Sequence, residues 1–192
     1  MPESENWKEI DPAEFACSSF RIWKDDWLVL AAGDFPNGKY NAMTVGWGFF
    51  GCMWAEPAVT VFLRPQRYTL EILDHCDTFT LSAFAPEYRR ALTAIGRVSG
   101  REEPGKLAKA GLTAVRSARV EAPSFAEAEL VLECRKLYRA EMSGRHFLDK
   151  SLIGRHYPER DYHVCVIGKV VRIAGDEKYL NPEALMKQYG GH

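Results

Sequence analysis

The fold of this chain is decided in Lys39-Tyr-Asn-Ala-Met-Thr-Val-Gly-Trp-Gly48, a stretch in which small, polar and aromatic side chains alternate. A period of two is typical of a β-strand that leaves one face open. Small side chains also let a flat ring approach the strand backbone. The stretch therefore predicts a strand over residues 40–48 with a surface for such a ring.

A second informative segment is Leu63-Arg-Pro-Gln-Arg-Tyr-Thr69, which ends the β-branched run that begins at Pro57. Arg64, Arg67 and Thr69 can offer charge and hydroxyl donors to a phosphate. A ring surface beside an anion seat is what flavin mononucleotide (FMN) requires. The two segments together predict an FMN site.

Composition restricts the class of protein. The chain has 192 residues, 46% hydrophobic and 12% aromatic, which favours a single domain over 1–192 with its core at about 25–175. A net charge of -1, from 25 basic and 26 acidic residues, gives no attraction for nucleic acid or anionic lipid. An acidic N-terminus and the lack of a long apolar run predict a cytoplasmic protein with no membrane partner.

The cysteines and histidines indicate neither a disulfide scaffold nor a metal site. The five cysteines are widely spaced and form no Cys-x-x-Cys pair, so they are interpreted as reduced thiols. Cys52 lies close to the predicted ring surface, but no second cysteine or base is near it in sequence, which favours a packed thiol. His146, His156 and His163 lack carboxylates at ligand spacing, and no metal is predicted.

Strand patterns outnumber helical ones. Alternating or β-branched runs predict six strands, over 27–33, 40–48, 57–63, 78–82, 125–142 and 162–173, the last with a bulge or corner at Gly168. Within the fifth strand, residues 126–130 could equally be helical by propensity. Proline and glycine boundaries predict helices over 68–73, with Thr69 as its cap, 86–95, 104–110 and 181–189.

This order of elements favours a mainly β protein with short peripheral helices. A doubly wound parallel sheet would need regular strand–helix alternation, whereas many strands in one core fit a small antiparallel barrel. No Gly-x-Gly-x-x-Gly follows the first strand, so a Rossmann nucleotide site has no support.

Five motifs then occur in one order over about residues 25–175: Asn41-Ala-Met-Thr-Val-Gly-Trp47, Arg64-Pro-Gln-Arg-Tyr-Thr69, Leu81-Ser82, Arg97-Val-Ser-Gly-Arg101 with Lys106, and Asp161-Tyr-His163. In these the chain resembles the flavin-reductase-like family of FMN-binding split barrels, in particular its flavoredoxin-like branch. The resemblance implies a six-stranded antiparallel split barrel. It also implies a homodimer with FMN bound non-covalently near the interface.

The resemblance also implies roles for individual residues. The flavin ring would be lined, largely through backbone groups, by Asn41, Met43, Thr44, Val45, Gly46 and Trp47. The phosphate end would be held by Arg67, Tyr68 and Thr69, with Ser99, Gly100 and Lys106. Ser82, at the end of its strand, completes the implied cofactor-binding set. His163 is the implied catalytic residue, since an imidazole could donate a proton or contact a nicotinamide.

The implied function is an NAD(P)H-dependent oxidoreductase that passes electrons through bound FMN to a flavin, a ferric complex or another small acceptor. No residue pattern distinguishes NADH from NADPH. Two alternatives stay open: a flavodoxin-like electron carrier with little NAD(P)H activity, and a non-catalytic split-barrel binding module.

Some of these residues also have ordinary structural interpretations. Arg64 and Arg101 are interpreted as solvated surface charges, and Lys106 as lying on an exposed helix face where a phosphate role is only slightly favoured. The dense patch of Trp47, Phe49, Phe50 and Trp54 is expected to divide between the core and a dimer interface.

Overall fold

The computed structural model describes residues 7–181. Its strands are β1 (Lys8–Glu9), β2 (Leu28–Asp34), β3 (Lys39–Val45), β4 (Gly48–Met53), β5 (Glu56–Leu63), β6 (Thr78–Phe84), β7 (Ala114–Val115), β8 (Ser124–Phe125), β9 (Ala128–Glu141) and β10 (Val164–Gly175). Its helices are α1 (Tyr68–Asp74), α2 (Arg89–Arg97), α3 (Lys106–Lys109) and α4 (Ser151–His156). Single helical turns occur at Ile22–Asp26, Pro86–Tyr88, Gly144–His146 and Glu177–Tyr179.

One antiparallel sheet dominates the fold, with the strand order β3-β2-β6-β9-β10-β5-β4. The six strands predicted from the sequence are consecutive in this order, which confirms the mainly β, antiparallel architecture. Two short strands extend it, since β4 pairs with β5 and β1 pairs with the end of β10. β7 and β8 form a separate two-stranded ribbon.

The sheet is rolled into a split barrel by a very short link. β3 and β4 stand at opposite ends of the strand order, yet only Gly46 and Trp47 separate them. Three peptide steps reach about 11 Å, whereas a flat sheet of seven strands would hold its end strands about 29 Å apart. The sheet must therefore curl until its two ends meet, and no ladder pairs β3 with β4 within residues 7–181.

The continuous apolar run of β2 is explained by burial on both sides. Leu28 and Leu30 face the barrel interior with Met43, while Val29 and Ala31 face outward against Leu92 and Ile95 of α2. Helix α2 therefore covers the outside of β2 and β3, and its C-terminal end lies against β3.

Several local predictions are confirmed. Residues 128–141 form a strand, which decides against a helix over most of 126–130. The register of β10 shifts between Ile167 and Gly168, where an added Cβ would lie 2.6 Å from the ring of Phe79. Close packing across the barrel therefore requires glycine at the bulge.

Other predictions were wrong. Arg67, not Thr69, is the residue that precedes α1, since its backbone is extended and the helix begins at Tyr68. The Thr69 hydroxyl accepts a hydrogen bond from Asn41 instead of capping the helix. The third helix shrinks to Lys106–Lys109, and the second continues to Arg97. β4 was not predicted, since its glycines and exposed aromatic residues carry no strand pattern. The expected tail helix over 181–189 lies outside the described residues, apart from Asn181.

One of the free cysteines differs from expectation. Cys134 is buried, but Cys52 is exposed on β4 and is not the packed thiol that was predicted.

No helix within the described part of the chain is long and apolar enough to cross a membrane.

The close packing at the barrel closure predicts that a substitution of Gly48 destabilises the fold. A Cβ at this position would clash with the ring of Trp23 and lie 2.6 Å from the Thr60 carbonyl oxygen. We expect Gly48→Ala to lower the free energy of unfolding by about 1–3 kcal/mol through overpacking, measured by urea denaturation. Gly51→Ala, in the same strand, is the control, because a Cβ there meets nothing within 4 Å. Equal effects of the two substitutions would contradict this account of the closure.

Candidate functional site

Two cations meet at the C-terminal end of α2. The Arg67 guanidinium donates to the Gly96 carbonyl at 2.8 Å, and the Lys106 ammonium donates to the carbonyls of Ile95 and Val98, both at 2.9 Å. The last carbonyls of a helix lack intrahelical partners and carry its negative dipole end, which explains why they attract cations. We call Arg67, Lys106 and these carbonyls the basic centre.

The basic centre carries unusual electrostatics. Lys106 is only 5% exposed, so its expected position on an open helix face was wrong. Burial, with a smaller contribution from the charge of Arg67, lowers the pKa of Lys106 to about 8. Within residues 7–181, neither cation has a carboxylate at ion-pair distance. Buried charges are normally paired, so this centre is electrostatically suited to an anion.

Asn41 connects β3 to α1 beside the basic centre. Its side-chain amide donates to the Thr69 hydroxyl at 2.8 Å, and both residues are buried. Gly100 packs against the same amide, and an added Cβ would lie 2.7 Å from Asn41 Cγ. Only a glycine lets the loop after α2 approach so closely. The structure thus brings Asn41, Thr69 and Gly100 together, with Ser99 next in the chain.

Thr44 joins the predicted ring surface to the basic centre. Its hydroxyl donates to the Leu92 carbonyl at 2.5 Å, and a Cβ on Gly96 would lie 3.1 Å from Thr44 Cβ. Gly96 is also the residue whose carbonyl binds Arg67. The two predicted segments therefore converge around the end of α2.

The side chains of Met43 and Val45 point into the barrel core, on the face of β3 opposite Thr44. Only their backbone groups remain available to a ligand, which is the kind of contact that the resemblance implied for them. Gly46 and Trp47 follow at the barrel closure.

His163 lies beside Trp47. The two rings stack with their centroids 4.5 Å apart, and His163 Nδ1 is 2.9 Å from the Tyr157 hydroxyl. His163 is 6% exposed. Burial, followed by the charge of Arg64, lowers the pKa of His163 to about 4, and Arg67 contributes in the same direction. The imidazole is thus neutral at neutral pH. When its Nδ1 accepts the hydrogen bond of the Tyr157 hydroxyl, the ring hydrogen is on Nε2.

Residues 27–190 match the sequence model of the family described as the flavin reductase like domain. The chain belongs to this family. An uncharacterized protein from Archaeoglobus fulgidus is 31% identical over 110 residues, which are 57% of this chain and 60% of that protein. The chain thus spans less than two thirds of that relative's length.

Two solved structures share the flavin reductase like fold. An FMN-binding domain of a flavin reductases-like enzyme from Shewanella baltica has a TM-score of 0.66 at 17% identity, covering 92% of this chain and 81% of that chain. Flavoredoxin of Desulfovibrio vulgaris has a TM-score of 0.62 at 21% identity, covering 95% of this chain and 81% of that chain. At these identities the likeness shows the fold alone.

The residues of this flavin reductase like domain fit an FMN phosphate. A phosphate monoester carries close to two negative charges near neutral pH. Two unpaired cations and the Thr69 hydroxyl lie where such a group could bind without an uncompensated buried ion. The donor set therefore agrees with the cofactor that the sequence predicted.

Ser82 does not lie with the other predicted cofactor-binding residues. It is completely buried in β6, in the row that continues from Thr44 through Val29 across the sheet. Its hydroxyl has no hydrogen-bond partner among the described residues. The sequence motif could not reveal that another strand separates Ser82 from Thr44.

Arg64 is a site residue that the sequence reasoning missed. It forms an ion pair with Asp161 at 2.5 Å, donates to the His156 carbonyl at 2.6 Å and lies over the Tyr157 ring. Its interpretation as a solvated surface charge was therefore wrong. Arg64 ties the end of β5 to the segment that carries His163. Arg101, in contrast, is exposed and paired with Glu71.

Two hollows lie on the surface near the residues of the site. The polar cleft, of about 1060 Å³, begins at Asn41, Tyr68 and Gly100 and extends away from β4. The aromatic groove, of about 680 Å³, is lined by Trp23, Trp47, Phe49, Phe50 and Phe62. No group of three or more potential metal ligands occurs within the part of the chain that the structure covers.

The lowered pKa of His163 predicts a pH-dependent stability. Between pH 6.5 and about 4 the unfolded chain binds more protons at this position than the folded chain does. The free energy of unfolding should therefore fall as the pH is lowered through this window, by about 3 kcal/mol from His163. Urea denaturation at several pH values should show a shallower fall in His163→Gln. His146→Gln, at an exposed histidine, should keep the wild-type slope, and identical slopes in all three proteins would refute the assignment.

Proposed function

We propose that this chain is an FMN-binding oxidoreductase of flavin-reductase type, which moves electrons from a reduced nicotinamide through FMN to a small acceptor such as a flavin or a ferric complex. One observation carries the proposal. The buried Lys106 and the half-buried Arg67, neither with a carboxylate partner among residues 7–181, lie next to Thr44 near the end of β3. Membership of the flavin reductase like family supports the same assignment.

Each part of the site has a defined task in this proposal. Arg67 and Lys106 bind the phosphate, with Thr69 and the Gly100 loop beside them. The backbone of 43–47 lines the ring. FMN, when bound, supplies the hydride and electron chemistry, and the protein positions and shields it.

His163 acts as a hydrogen-bond donor in this scheme. A group with a pKa of about 4 is not protonated enough at neutral pH to serve as a general acid. Its Nε2 hydrogen can instead bind a carbonyl or carboxamide oxygen of a flavin or nicotinamide. Tyr157 and Trp47 hold the imidazole plane in place.

The proposed binding of the FMN phosphate by the basic centre is tested by measuring FMN affinity and NAD(P)H oxidation. Titration with FMN, followed by flavin fluorescence, should give a Kd about 10–100-fold weaker in Arg67→Ala, because a charge-assisted hydrogen bond is lost. Arg135→Ala, at an exposed arginine of β9, is the matched control and should bind like wild type. FMN-loaded wild type should oxidise NADH or NADPH when free flavin or ferric citrate is added.

The pH dependence of FMN binding tests whether the charged ammonium of Lys106 binds the phosphate. Above pH 8 the free ammonium loses its proton, so FMN affinity should decrease by up to tenfold per pH unit. Lys106→Arg should bind FMN without this decrease.

A wild type that does not bind FMN, or an Arg67→Ala variant with unchanged affinity, would contradict the proposed function. Tight FMN binding with negligible NAD(P)H oxidation would instead select the electron-carrier alternative.

We also propose that a second copy of the chain covers the aromatic groove, so that the protein is a homodimer with FMN near the interface. Trp47 and Phe49 line the groove and are exposed, Trp54 is exposed at the β4–β5 turn, and apolar surface of this kind is costly in water. The β4–β5 turn supports this proposal, because Trp54 and Ala55 both have positive φ, of 53° and 61°. A two-residue turn without glycine in this conformation is strained and holds Trp54 outward.

Dimerisation is tested by light scattering coupled to size-exclusion chromatography. Phe49, which is 65% exposed, is changed to Glu, and we expect a shift from dimer to monomer at micromolar concentration, since a buried carboxylate is unfavourable. The control is Leu148→Glu, at a 99% exposed leucine outside the groove. A monomeric wild type, or dissociation by both substitutions, would overturn the dimer.

A further inference from the structure

Trp27, at the start of β2, has a strained backbone that the function proposed above does not use. Its φ is 65° and its ψ is 155°. This region is essentially confined to glycine, because a Cβ crowds the neighbouring peptide groups there. Such a conformation persists only where the surrounding structure imposes it. A tryptophan is therefore held here at some cost in stability, which points to a task for its side chain.

Arg89, the first residue of α2, holds the Trp27 indole in place. Its guanidinium carbon lies 3.3 Å from the centroid of the indole ring. The same guanidinium donates to the carbonyls of Asp25 and Asp26, the two residues before Trp27. One face of the indole is thus covered by a cation, which is favourable for an electron-rich ring. The turn that leads into β2 is tied to α2 by the same side chain.

The indole lies on the same face of the sheet as Thr44. Trp27 directly precedes Leu28, whose partner in β3 is Val45. Leu28 and Val45 face the barrel interior, whereas Trp27 packs against the outer cluster of apolar residues that α2 covers. On this outer face Thr44 donates to the Leu92 carbonyl of α2. Trp27 therefore borders the part of β3 along which the flavin ring is proposed to lie.

The edge of the indole that carries Nε1 is turned toward Gly46. A Cβ added to Gly46 would lie 3.3 Å from Trp27 Cδ1 and 3.6 Å from Trp27 Nε1. No group among residues 7–181 accepts a hydrogen bond from this Nε1–H. Trp27 and Gly46 both line the aromatic groove, so a ligand can reach this edge. The indole thus presents an unused donor beside the predicted ring surface.

Helix α2 connects the indole to the basic centre. Arg89 begins the helix, and the Gly96 carbonyl near its other end binds Arg67. The helical rise places these two ends about 10 Å apart. In FMN the ribityl chain separates the ring from the phosphate in a similar way. A single ligand lying along α2 can therefore reach both the basic centre and Trp27.

From these observations we propose that Trp27 is a further binding residue for the flavin ring. Its Nε1–H donates a hydrogen bond to an oxygen or nitrogen of the ring, and the indole edge packs beside the ring. The inference rests on the proposed function, because it takes FMN as the ligand and the basic centre as its phosphate site. The strain at Trp27 is then the cost of directing this donor at the ligand.

Riboflavin separates this contact from the phosphate contact, because it has the ring and ribityl chain of FMN but no phosphate. Kd values for FMN and riboflavin are measured by flavin fluorescence in wild type, Trp27→Phe and Trp7→Phe. Trp27→Phe keeps an aromatic ring and removes the N–H. Trp7→Phe is the matched control, because Trp7 also packs half-buried against the outer cluster but donates its N–H to the Ala128 carbonyl at 3.1 Å.

We expect Trp27→Phe to raise the Kd of both ligands by the same factor, about 3–10-fold, as for the loss of one hydrogen bond. Trp7→Phe should leave both Kd values within about twofold of wild type, because its N–H is bonded within the protein. Arg67→Ala should weaken the binding of FMN and leave that of riboflavin unchanged, since only FMN carries the phosphate.

Trp27→Gly and Trp27→Ala test the backbone strain and provide further variants without the indole. Both should weaken FMN and riboflavin at least as much as Trp27→Phe does. Glycine adopts the observed φ and ψ freely, so Trp27→Gly should unfold at a higher urea concentration than Trp27→Ala. The reverse order would remove the observation on which the inference begins and would count against it.

Other results overturn the inference. Unchanged Kd values in Trp27→Phe, or equal effects of Trp27→Phe and Trp7→Phe, would refute the ring contact and leave the proposed function intact. A loss of FMN affinity without a matching loss of riboflavin affinity would also refute it, because the indole would then act at the phosphate end. Failure of wild type to bind either flavin would refute the proposed function and the ring contact together.

Discussion

The rest of this structure depends on the closure of the barrel through Gly46 and Trp47. Because two residues join the strands at opposite ends of the sheet, the sheet has to roll up. The same link sets Trp47 against His163, so the connection that closes the fold also builds one wall of the site. Gly48 is needed beside it because Trp23 fills the space that a side chain would take.

The basic centre shows how a site can conflict with folding stability. Burying Lys106 beside Arg67 disfavours its charged form, as its lowered pKa indicates. The carbonyls of Ile95, Gly96 and Val98 compensate the two cations only in part, because a carbonyl carries a partial charge. A buried charge without an ionic partner is destabilising. The absence of a counter-charge among residues 7–181 therefore makes the centre electrostatically suited to an anion.

His163 is kept neutral by an arrangement that spans three segments of the chain. Arg64 is held by Asp161 and the His156 carbonyl, and its charge and the burial of the ring disfavour the imidazolium. Tyr157 fixes the ring through Nδ1. A histidine that keeps one charge state across the physiological pH range is suited to positioning a ligand through a hydrogen bond.

The sequence by itself determined the six central strands and the bulge at Gly168, because alternation and glycine positions are properties of neighbouring residues. It also singled out Arg67 as a charged donor, while Asn41 and Thr44 were indicated by the family resemblance. Only the tertiary structure decided the burial of Lys106, the ion pair of Arg64 with Asp161, and the separation of Ser82 from the site. Each of these depends on which distant segments pack together. Side-chain environment is set by contacts across the barrel, and spacing along the chain does not encode it.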